Sequence, residues 1–327
     1  MEANSAIRRR RSSLVNICII GSLAAATLFF LSARTAAAGL PDPAAPDSNA
    51  VSGRTDDPPA DSLVYTQGSV AAPRWYDMIA NVPGDWLRYG RETFQESEIP
   101  EYLGLTVATT ALIVVDEPLW QRSHRWYEES RAVKNLSDFF TSLGDGRSQF
   151  GLAAGFAAYG LVAKDNRALR TASQTVEAIL ACGTVIQVLK HVTGRESPFV
   201  STAPAGVWRM FPNQIEYLKH VPRYDAFPSG HIATTMATVI VVTENYPEWG
   251  VRPVGYVVAG LVGVAMGNRG IHWYSDYPLG LTLGYTFGML AAHPSWLGSR
   301  PVGRGPQLSF YPSVIGSGAG LSIGVVF

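Results

Sequence analysis

The stretch AFPSGHIATT, residues 226–235, lies where a long polar loop meets an apolar run. Pro228, Ser229 and Gly230 are typical of loops and helix starts, and the His231 imidazole titrates near neutral pH. A helix N-terminus carries free backbone N–H groups and partial positive charge, so it suits an anion, phosphate above all. The stretch alone is equally consistent with an ordinary N-cap beside an incidental histidine, so the rest of the chain must decide.

Composition argues against several functional classes. The 327 residues carry a formal net charge of zero, and 16% of them are charged, against about 25% in a typical soluble domain. The chain lacks the excess of positive charge that is typical of nucleic-acid-binding proteins, so no nucleic-acid partner is expected. Cys18 lies in the N-terminal apolar segment, which leaves Cys182 without an intrachain partner and argues against a disulfide framework.

The N-terminal region is typical of an exported protein. Residues 8–11 are all arginine, residues 14–33 form an apolar stretch, and residues 36–38 match the small-residue pattern of a cleavage site. We therefore predict an export signal over residues 1–38. An uncleaved anchor is the alternative, because the apolar stretch is long enough to span a bilayer. Residues 39–72, rich in Pro, Ala, Asp and Ser, are predicted to be a disordered linker.

The middle of the chain contains six apolar segments of helical length. They cover residues 103–115, 150–163, 172–189, 231–243, 252–267 and 277–292. Their richness in Ala, Gly, Leu and Val predicts an all-α, six-helix domain over residues 101–295. The segments run from 13 to 18 residues, whereas a membrane span needs about 20. Short membrane spans and the buried helices of a soluble bundle therefore both stay open.

Two further segments flank this domain. Residues 73–100 mix aromatic with polar groups and are predicted to be a peripheral amphipathic segment, lying on a membrane surface or covering the domain. In the tail, residues 296–327, the Gly-Ser-Gly of residues 316–318 separates two runs of β-forming residues. This pattern predicts a short β-hairpin. One hairpin cannot close a barrel, so a packed tail is favoured over an outer-membrane strand pair.

Three polar clusters lie at the ends of the predicted helices. Lys190 is followed by Ser197 and a proline seven and eight residues later, Pro-Ser-Gly-His occupies residues 228–231, and His272 precedes Asp276 by four residues. A His and an Asp at this spacing share one face of a helix or of its entry turn. The carboxylate can then hold one ring nitrogen and leave the other as a nucleophile.

In this order the clusters resemble those of the type 2 phosphatidic acid phosphatase and vanadium haloperoxidase superfamily. Its pattern is Lys-x6-Arg-Pro, then Pro-Ser-Gly-His, then Ser-Arg-x5-His-x3-Asp, and the resemblance covers roughly residues 100–293. It implies the six-helix bundle of that family and a hydrolase of the acid or lipid phosphatase type. It also implies that no metal or other cofactor is needed, and the chain shows no metal-ligand spacing.

The resemblance implies a role for each matching residue. His272 would attack phosphorus and form a phosphohistidine, Asp276 would orient and stabilise His272, and His231 would protonate the leaving oxygen and then activate water. The phosphoryl oxygens would be held by Lys190, Ser229 and the backbone N–H of Gly230.

The chain departs from the family pattern at two phosphate-binding arginines. Ser197 and Met266 occupy their positions, and the loss of one such preorganised donor typically costs about 10²–10³ in rate. Arg269 lies three residues after Met266, and Arg195 lies two residues before Ser197, so both are predicted to bind phosphate in their place. Arg223 is a third candidate. For each of the three, a surface arginine is the alternative.

The function and the location follow with alternatives. The favoured function is a phosphohydrolase of phosphomonoesters or diphosphates, including lipid-linked ones. The alternatives are a weak or inactive relative that binds phosphorylated lipid or acts as a scaffold, and a vanadate-dependent haloperoxidase. We expect an exported protein, either in the inner membrane with a periplasm-facing site or in the periplasm, and we expect membrane association. If the helices span a membrane, an export signal places residues 39–100 outside, and the site then faces the cytoplasm. Lys164, Arg167 and Arg170, opposite the three clusters, instead favour a cytoplasmic location for their own side.

Overall fold

In the computed structural model, the described residues are 72–95, 98–248 and 250–293, with the backbone of 307–315 and 318–326. The predicted export signal and nearly all of the predicted linker lie outside these residues.

Helices account for most of the described chain. They are α1 (Asp77–Ala80), α2 (Val82–Thr93), α3 (Ile99–Glu129), α4 (Arg131–Gly144), α5 (Gly146–Ala163), α6 (Asn166–Thr193), α7 (Gln214–Lys219), α8 (Gly230–Asn245), α9 (Val251–Asn268) and α10 (Tyr277–Ala292). Each of the six predicted apolar segments lies within a helix, which confirms the all-α fold. Helix α4 was not predicted, because its apolar residues are interspersed with Arg131, Lys134 and Asp138 along an amphipathic helix.

Caps and a glycine fix where the helices on either side of the polar loop, residues 194–229, begin and end. The Asp165 carboxylate accepts the first N–H groups of α6, and the Ser229 hydroxyl accepts the Ile232 N–H at the start of α8. Helix α6 ends at Gly194, whose φ of 54° is left-handed. A Cβ at this position would lie 2.1 Å from the Arg209 carbonyl oxygen, so only glycine allows the chain to turn here.

Helices α6, α8 and α10 form the centre of the bundle. Ile186 of α6, Ala233 of α8 and Phe287 of α10 belong to one buried cluster. A Cβ on Gly284 of α10 would lie 2.3 Å from the Ala233 carbonyl oxygen, so α8 and α10 pack with their backbones in contact. This close packing fixes the relative position of the two helix starts that carry the polar clusters.

Three helices are long and apolar enough to cross a membrane, as judged by length and composition: α3, α6 and α9. Helix α3 has 31 residues and α6 has 28, so both exceed the predicted segments that they contain. Only 6% of the apolar window of α3 is buried within the protein. An apolar helix of which so little is buried in the protein is typical of one that contacts lipid. These features are those of a membrane protein.

The segment before α3 packs on the bundle. The Asn81 side-chain amide donates to Glu177 at 3.0 Å, and the Trp86 indole N–H donates to the Ala181 carbonyl at 3.0 Å. The Tyr89 ring lies 5.0 Å from that of Phe287. Residues 81–89 therefore contact α6 and α10.

At the C-terminus, β1 (Gln307–Ile315) and β2 (Gly318–Val326) form an antiparallel pair. Gln307 pairs with Val326, and Ile315 pairs with Gly318. The pair occupies the position at which the sequence predicts a β-hairpin.

Candidate functional site

The candidate site lies at the end of the bundle where α6 ends and where α8 and α10 begin. The polar loop of residues 194–229 crosses this end, and the Ser229 N–H donates to the Asp276 carbonyl at 3.0 Å. A short 3-10 turn, Tyr274–Asp276, connects this region to α10. The three polar clusters of the sequence therefore meet in space.

Two imidazoles face each other at the centre of the site. Nδ1 of His231 lies 3.3 Å from Nε2 of His272, and Nδ1 of His272 lies 2.8 Å from the Ala226 carbonyl oxygen. Because a carbonyl only accepts, Nδ1 of His272 carries the proton and its Nε2 carries the lone pair. His231 is then the donor in the contact between the rings. In its neutral form, His272 therefore directs the lone pair of Nε2 toward His231.

Asp276 lies beside His272 without a direct hydrogen bond to it. Its Oδ2 is 3.7 Å from Nδ1 of His272, and it accepts the Trp273 N–H at 2.7 Å. A separation of 3.7 Å is beyond hydrogen-bonding distance. The carboxylate closes the 3-10 turn, and the His272 ring is held by the Ala226 carbonyl.

Lys190 supplies a positive charge next to the histidines. Its Nζ lies 3.5 Å from the Asp225 carboxylate, and it would lie 3.7 Å from a Cβ on Gly230. Lys190 and Gly230 thus lie together beside His231. The Ser229 side chain is fully buried, and its hydroxyl accepts the Ile232 N–H at 3.4 Å. In this arrangement the Ser229 hydroxyl caps α8.

Burial keeps both imidazoles neutral. Burial, then His272 and Lys190, lower the pKa of His231 to about 3. Burial, then Lys190, lower the pKa of His272 to about 3. Burial raises the pKa of Asp276 to about 6, although Arg195 opposes this increase. A bound anion would raise the pKa of both imidazoles, because an opposite charge favours their protonated forms.

In the described residues, the three candidate arginines make no direct contact with the two histidines. Arg195 is fully buried and donates to Asp276 and Asp116 at 2.6 and 2.8 Å. Arg269 follows the last residue of α9, with its Nε 3.3 Å from the Asp138 carboxylate. Arg223 is exposed. Within the described part of the chain, no hydrogen bond or ion pair joins any of these arginines to His231, His272 or Lys190. Phosphate binding by Arg195 would require it to leave both of its carboxylates.

The two residues that replace the family arginines belong to the protein interior. Met266 is fully buried and packs with Ile232 and Val262. Ser197 is buried, and its N–H donates to the Pro222 carbonyl at 2.9 Å. A guanidinium at position 266 would be buried among apolar side chains, which is costly without a partner.

Three acidic residues of the site region were not predicted. Asp225 pairs with Lys190, and Asp116 of α3 pairs with Arg195. Glu196 is buried, accepts the Thr202 N–H at 2.9 Å and thereby orders the polar loop. One feature of the sequence could have identified Asp116, because it directly follows the apolar segment 103–115. An ionisable residue at membrane depth commonly has a functional partner.

The donors around the histidines suit an anion. They comprise the Lys190 ammonium and the first N–H groups of α8, where the helix dipole is positive. Across residues 72–95, 98–248 and 250–293, no group of three or more His, Cys, Asp or Glu is placed to hold a metal ion.

Comparisons with known proteins agree with the predicted family. Residues 172–297 match the model of the PAP2 superfamily, and no curated protein matches the sequence. A structural match with LpxE of Aquifex aeolicus has 16% identity and a TM-score of 0.41, over 54% of this chain and 94% of that one. A second is the transmembrane PAP2 type phosphatidylglycerolphosphate phosphatase of Bacillus subtilis, with 15% identity and a TM-score of 0.40, over 66% of this chain and 94% of that one. The matched segment contains all three polar clusters, and over residues 172–297 the chain is similar to the PAP2 superfamily.

Proposed function

We propose that this protein is a phosphohydrolase that cleaves phosphomonoesters or diphosphates, including lipid-linked ones, through a phosphohistidine at His272. The observation that carries the proposal is the orientation of His272, whose Nδ1 is fixed at 2.8 Å by the Ala226 carbonyl while Nε2 faces His231 at 3.3 Å. The PAP2 match over residues 172–297 supports it.

The reaction follows from this geometry. The phosphoryl oxygens bind Lys190 and the Gly230 N–H, and the entering group displaces the direct contact between the two rings. Nε2 of His272 attacks phosphorus, so that an N–P bond forms as the bond to the leaving oxygen breaks, and His231 protonates that oxygen. His231 then takes a proton from water, which attacks phosphorus, breaks the N–P bond and releases orthophosphate. Asp276 stabilises the positive imidazole of the intermediate.

The lowered pKa values impose an order on these steps. In the empty site both imidazoles are neutral, so His272 is ready to attack but His231 has no extra proton to give. The negative phosphoryl group raises the pKa of His231. Substrate binding is therefore coupled to uptake of the proton that His231 later donates.

Phosphate release by the purified full-length protein tests the proposal. The substrates are p-nitrophenyl phosphate, phosphatidate and a polyprenyl diphosphate. His272→Gln is expected to abolish release, whereas the matched variant His220→Gln, at a side chain that is 51% exposed, retains it. Labelled substrate is expected to leave an acid-labile, base-stable phosphoryl group on the wild-type protein only. Release that survives His272→Gln would contradict the phosphohistidine route.

A catalytically weak relative that binds phosphorylated lipid is the second candidate. Two observations favour it: Met266 is buried where the family has arginine, and the charge of Lys190 is offset by Asp225 at 3.5 Å. This candidate predicts that the protein binds vesicles that contain phosphatidate but releases no more phosphate than the His272→Gln variant does.

We propose that the site faces the periplasm. Arg167 donates to the Asn245 carbonyl at the C-terminal end of α8, whereas His231 lies at its N-terminal end. The cluster of Lys164, Arg167 and Arg170 is thus at the opposite end of the bundle, and clustered positive residues favour the cytoplasmic side.

The orientation is testable in intact cells with a membrane-impermeant maleimide, after Cys18 and Cys182 are replaced by alanine. Lys219→Cys, at a side chain that is 61% exposed at the site end, is expected to be labelled. Ala163→Cys at the other end is expected to remain unlabelled until the membrane is permeabilised. The reverse pattern would place the site in the cytoplasm.

A further inference from the structure

A buried ionic network lies behind Asp276. The side chains of Arg195, Asp116 and Asp276 have no exposed surface. Nη1 of Arg195 donates to Oδ1 of Asp276 at 2.6 Å, and Nη2 donates to Oδ2 of Asp116 at 2.8 Å. One guanidinium thus joins the carboxylate beside His272 to a carboxylate of α3.

Asp116 also holds the turn on which Asp276 lies. Its Oδ1 accepts the Ser275 N–H at 3.0 Å, and its Oδ2 accepts the Ser275 hydroxyl. The Ser275 oxygen in turn accepts a hydrogen bond from Nη1 of Arg195 at 2.6 Å. Asp116 and Ser275 are 159 residues apart in the chain, so this contact ties α3 directly to the 3-10 turn.

Arg195 has no free donor nitrogen for a ligand. Its Nε and Nη2 donate to the Ala205 carbonyl at 3.3 and 2.8 Å. Its guanidinium carbon lies 4.7 Å from the Trp208 ring and 5.3 Å from the Trp273 ring. A planar guanidinium held by carboxylates and between aromatic rings is rigidly oriented. It is placed to orient a carboxylate and not to follow a substrate.

The charge of the network matches the proposed reaction. With both carboxylates ionised, the two carboxylates and one guanidinium of the network have one net negative charge. His272 becomes positive when its Nε2 bonds to phosphorus, and the nearest carboxylate oxygen of the network is 3.7 Å from its Nδ1. A fixed negative charge stabilises that state without reorganisation during the reaction.

We propose that Asp116 and Arg195 are positioning residues, which fix the Asp276 carboxylate and the 274–276 turn beside His272 and make no contact with the phosphoryl group. This inference rests on the proposed phosphohydrolase function. It replaces the sequence-based role of Arg195 as a phosphate-binding group, and it assigns a role to Asp116, which lies outside the family pattern.

Steady-state kinetics of the full-length protein separate positioning from phosphate binding. Arg195→Lys and Asp116→Asn are compared with Arg74→Lys and Glu216→Gln, at side chains that are 70% and 47% exposed. We expect the two network variants to lower kcat by about 10–100-fold, as is typical when a group that orients a reactive side chain is removed. KM and the orthophosphate Kd are expected to change by less than about threefold. The two surface variants are expected to behave as wild type.

The pH profile gives a signature that a purely structural role does not produce. The charged and titratable groups around Asp276 are Arg195, Asp116, Lys190, His272 and Tyr277. Arg195 lowers the pKa of Asp276, so Arg195→Gln is expected to move the acid limb of kcat to higher pH by about one unit or more. Asp116 has the opposite charge, so Asp116→Asn is expected to move that limb to lower pH.

A measurement without substrate keeps this inference separate from the proposed function. In ¹⁵N-histidine-labelled protein, Arg195→Gln is expected to shift the Nδ1 resonance of His272 and leave that of His220 unchanged. If the wild type releases no phosphate but shows this shift, with wild-type orthophosphate binding in the variant, the phosphohydrolase proposal fails and the positioning role stands.

Two results would overturn the inference. One is an orthophosphate Kd weakened by Arg195→Lys as much as by Lys190→Gln, which would place Arg195 in the phosphate pocket. The other is folded Asp116→Asn protein in which kcat and the acid limb of its pH profile are unchanged.

If the single variants fail to fold, the double variant Asp116→Asn/Arg195→Gln is tested instead, because it leaves the net charge of the network unchanged. It is expected to have low kcat with wild-type orthophosphate binding, and a wild-type kcat would overturn the inference.

Discussion

Anion binding at the histidine pair should be linked to proton uptake. The pKa of His231 is about 3 in the empty site. One negative charge about 4 Å from a partly buried imidazolium contributes about 4 kcal/mol at an effective dielectric constant of about 20. This corresponds to about three pKa units. A bound anion of charge −1 therefore brings the pKa of His231 to about 6, and a dianion brings it higher.

The sign of the pH dependence follows from this shift. Between the pKa of the empty site and that of the complex, the complex holds a proton that the free protein lacks. Affinity therefore rises as pH falls through that window, by about tenfold per pH unit for one proton, and it is flat above the pKa of the complex. Sulfate is the suitable probe, because it keeps its charge across this range and cannot turn over.

Isothermal titration calorimetry measures the effect directly. Titrations in two buffers of different ionisation enthalpy give the number of protons bound per sulfate, which we expect to be about one near pH 5. His231→Gln is expected to reduce this number, and His220→Gln is expected to leave it unchanged. Sulfate binding without proton uptake, or with the same uptake in His231→Gln, would refute the argument that burial and Lys190 hold His231 neutral until an anion arrives.

Three substitutions probe the groups around the histidines. Met266→Arg restores the family residue but buries a guanidinium beside Ile232 and Val262. It should therefore lower the free energy of unfolding, measured by thermal or denaturant unfolding, by about 4 kcal/mol or more. Phosphate release should not increase. Ser229→Ala should cost about 1 kcal/mol of stability through loss of the α8 cap and leave the orthophosphate Kd nearly unchanged, and a large rise in Kd would show that its hydroxyl binds phosphate. Asp225→Asn frees the charge of Lys190, 3.5 Å away, so it should tighten orthophosphate binding by about tenfold, and weaker binding would show that Asp225 orients Lys190.

Local patterns were sufficient to predict much of the fold and part of the site. Apolar composition over helical lengths located the six main helices, and the Pro-Ser-Gly-His sequence located the start of α8, with Ser229 as its cap. The approach of His231 to His272 followed from clusters at helix ends together with the family resemblance. Helix α4 was missed because an amphipathic helix that includes Arg131, Lys134 and Asp138 lacks the continuous apolar composition used to find the others.

Contacts between distant segments could not be predicted from those patterns. The spacing of His272 and Asp276 suggested a direct hydrogen bond, but the Ala226 carbonyl takes that place at 2.8 Å, and its direction depends on the conformation of the whole polar loop. Arg195 was expected on the same side as Ser197, facing phosphate. Both are buried, and Arg195 points to Asp116, 79 residues away in the chain. No local rule relates those two positions.

The distribution of charge bears on what kind of substrate such a site can use. The positive charge of Lys190 is offset by Asp225, and the Arg195 guanidinium lies in the network behind Asp276. A phosphorylated ground state therefore gains little binding energy from cations, whereas the positive imidazole of the proposed intermediate is stabilised by a fixed negative charge. Only interactions that are stronger in the transition state raise kcat, so this arrangement is compatible with turnover at a high KM.

A phosphorylated lipid is concentrated by the membrane around the exposed apolar face of α3, and a soluble phosphate ester is not. For the proposed phosphohydrolase, the lipid substrate should therefore have the higher apparent kcat/KM. Shortening its acyl chains until it leaves the bilayer should raise KM and leave kcat unchanged.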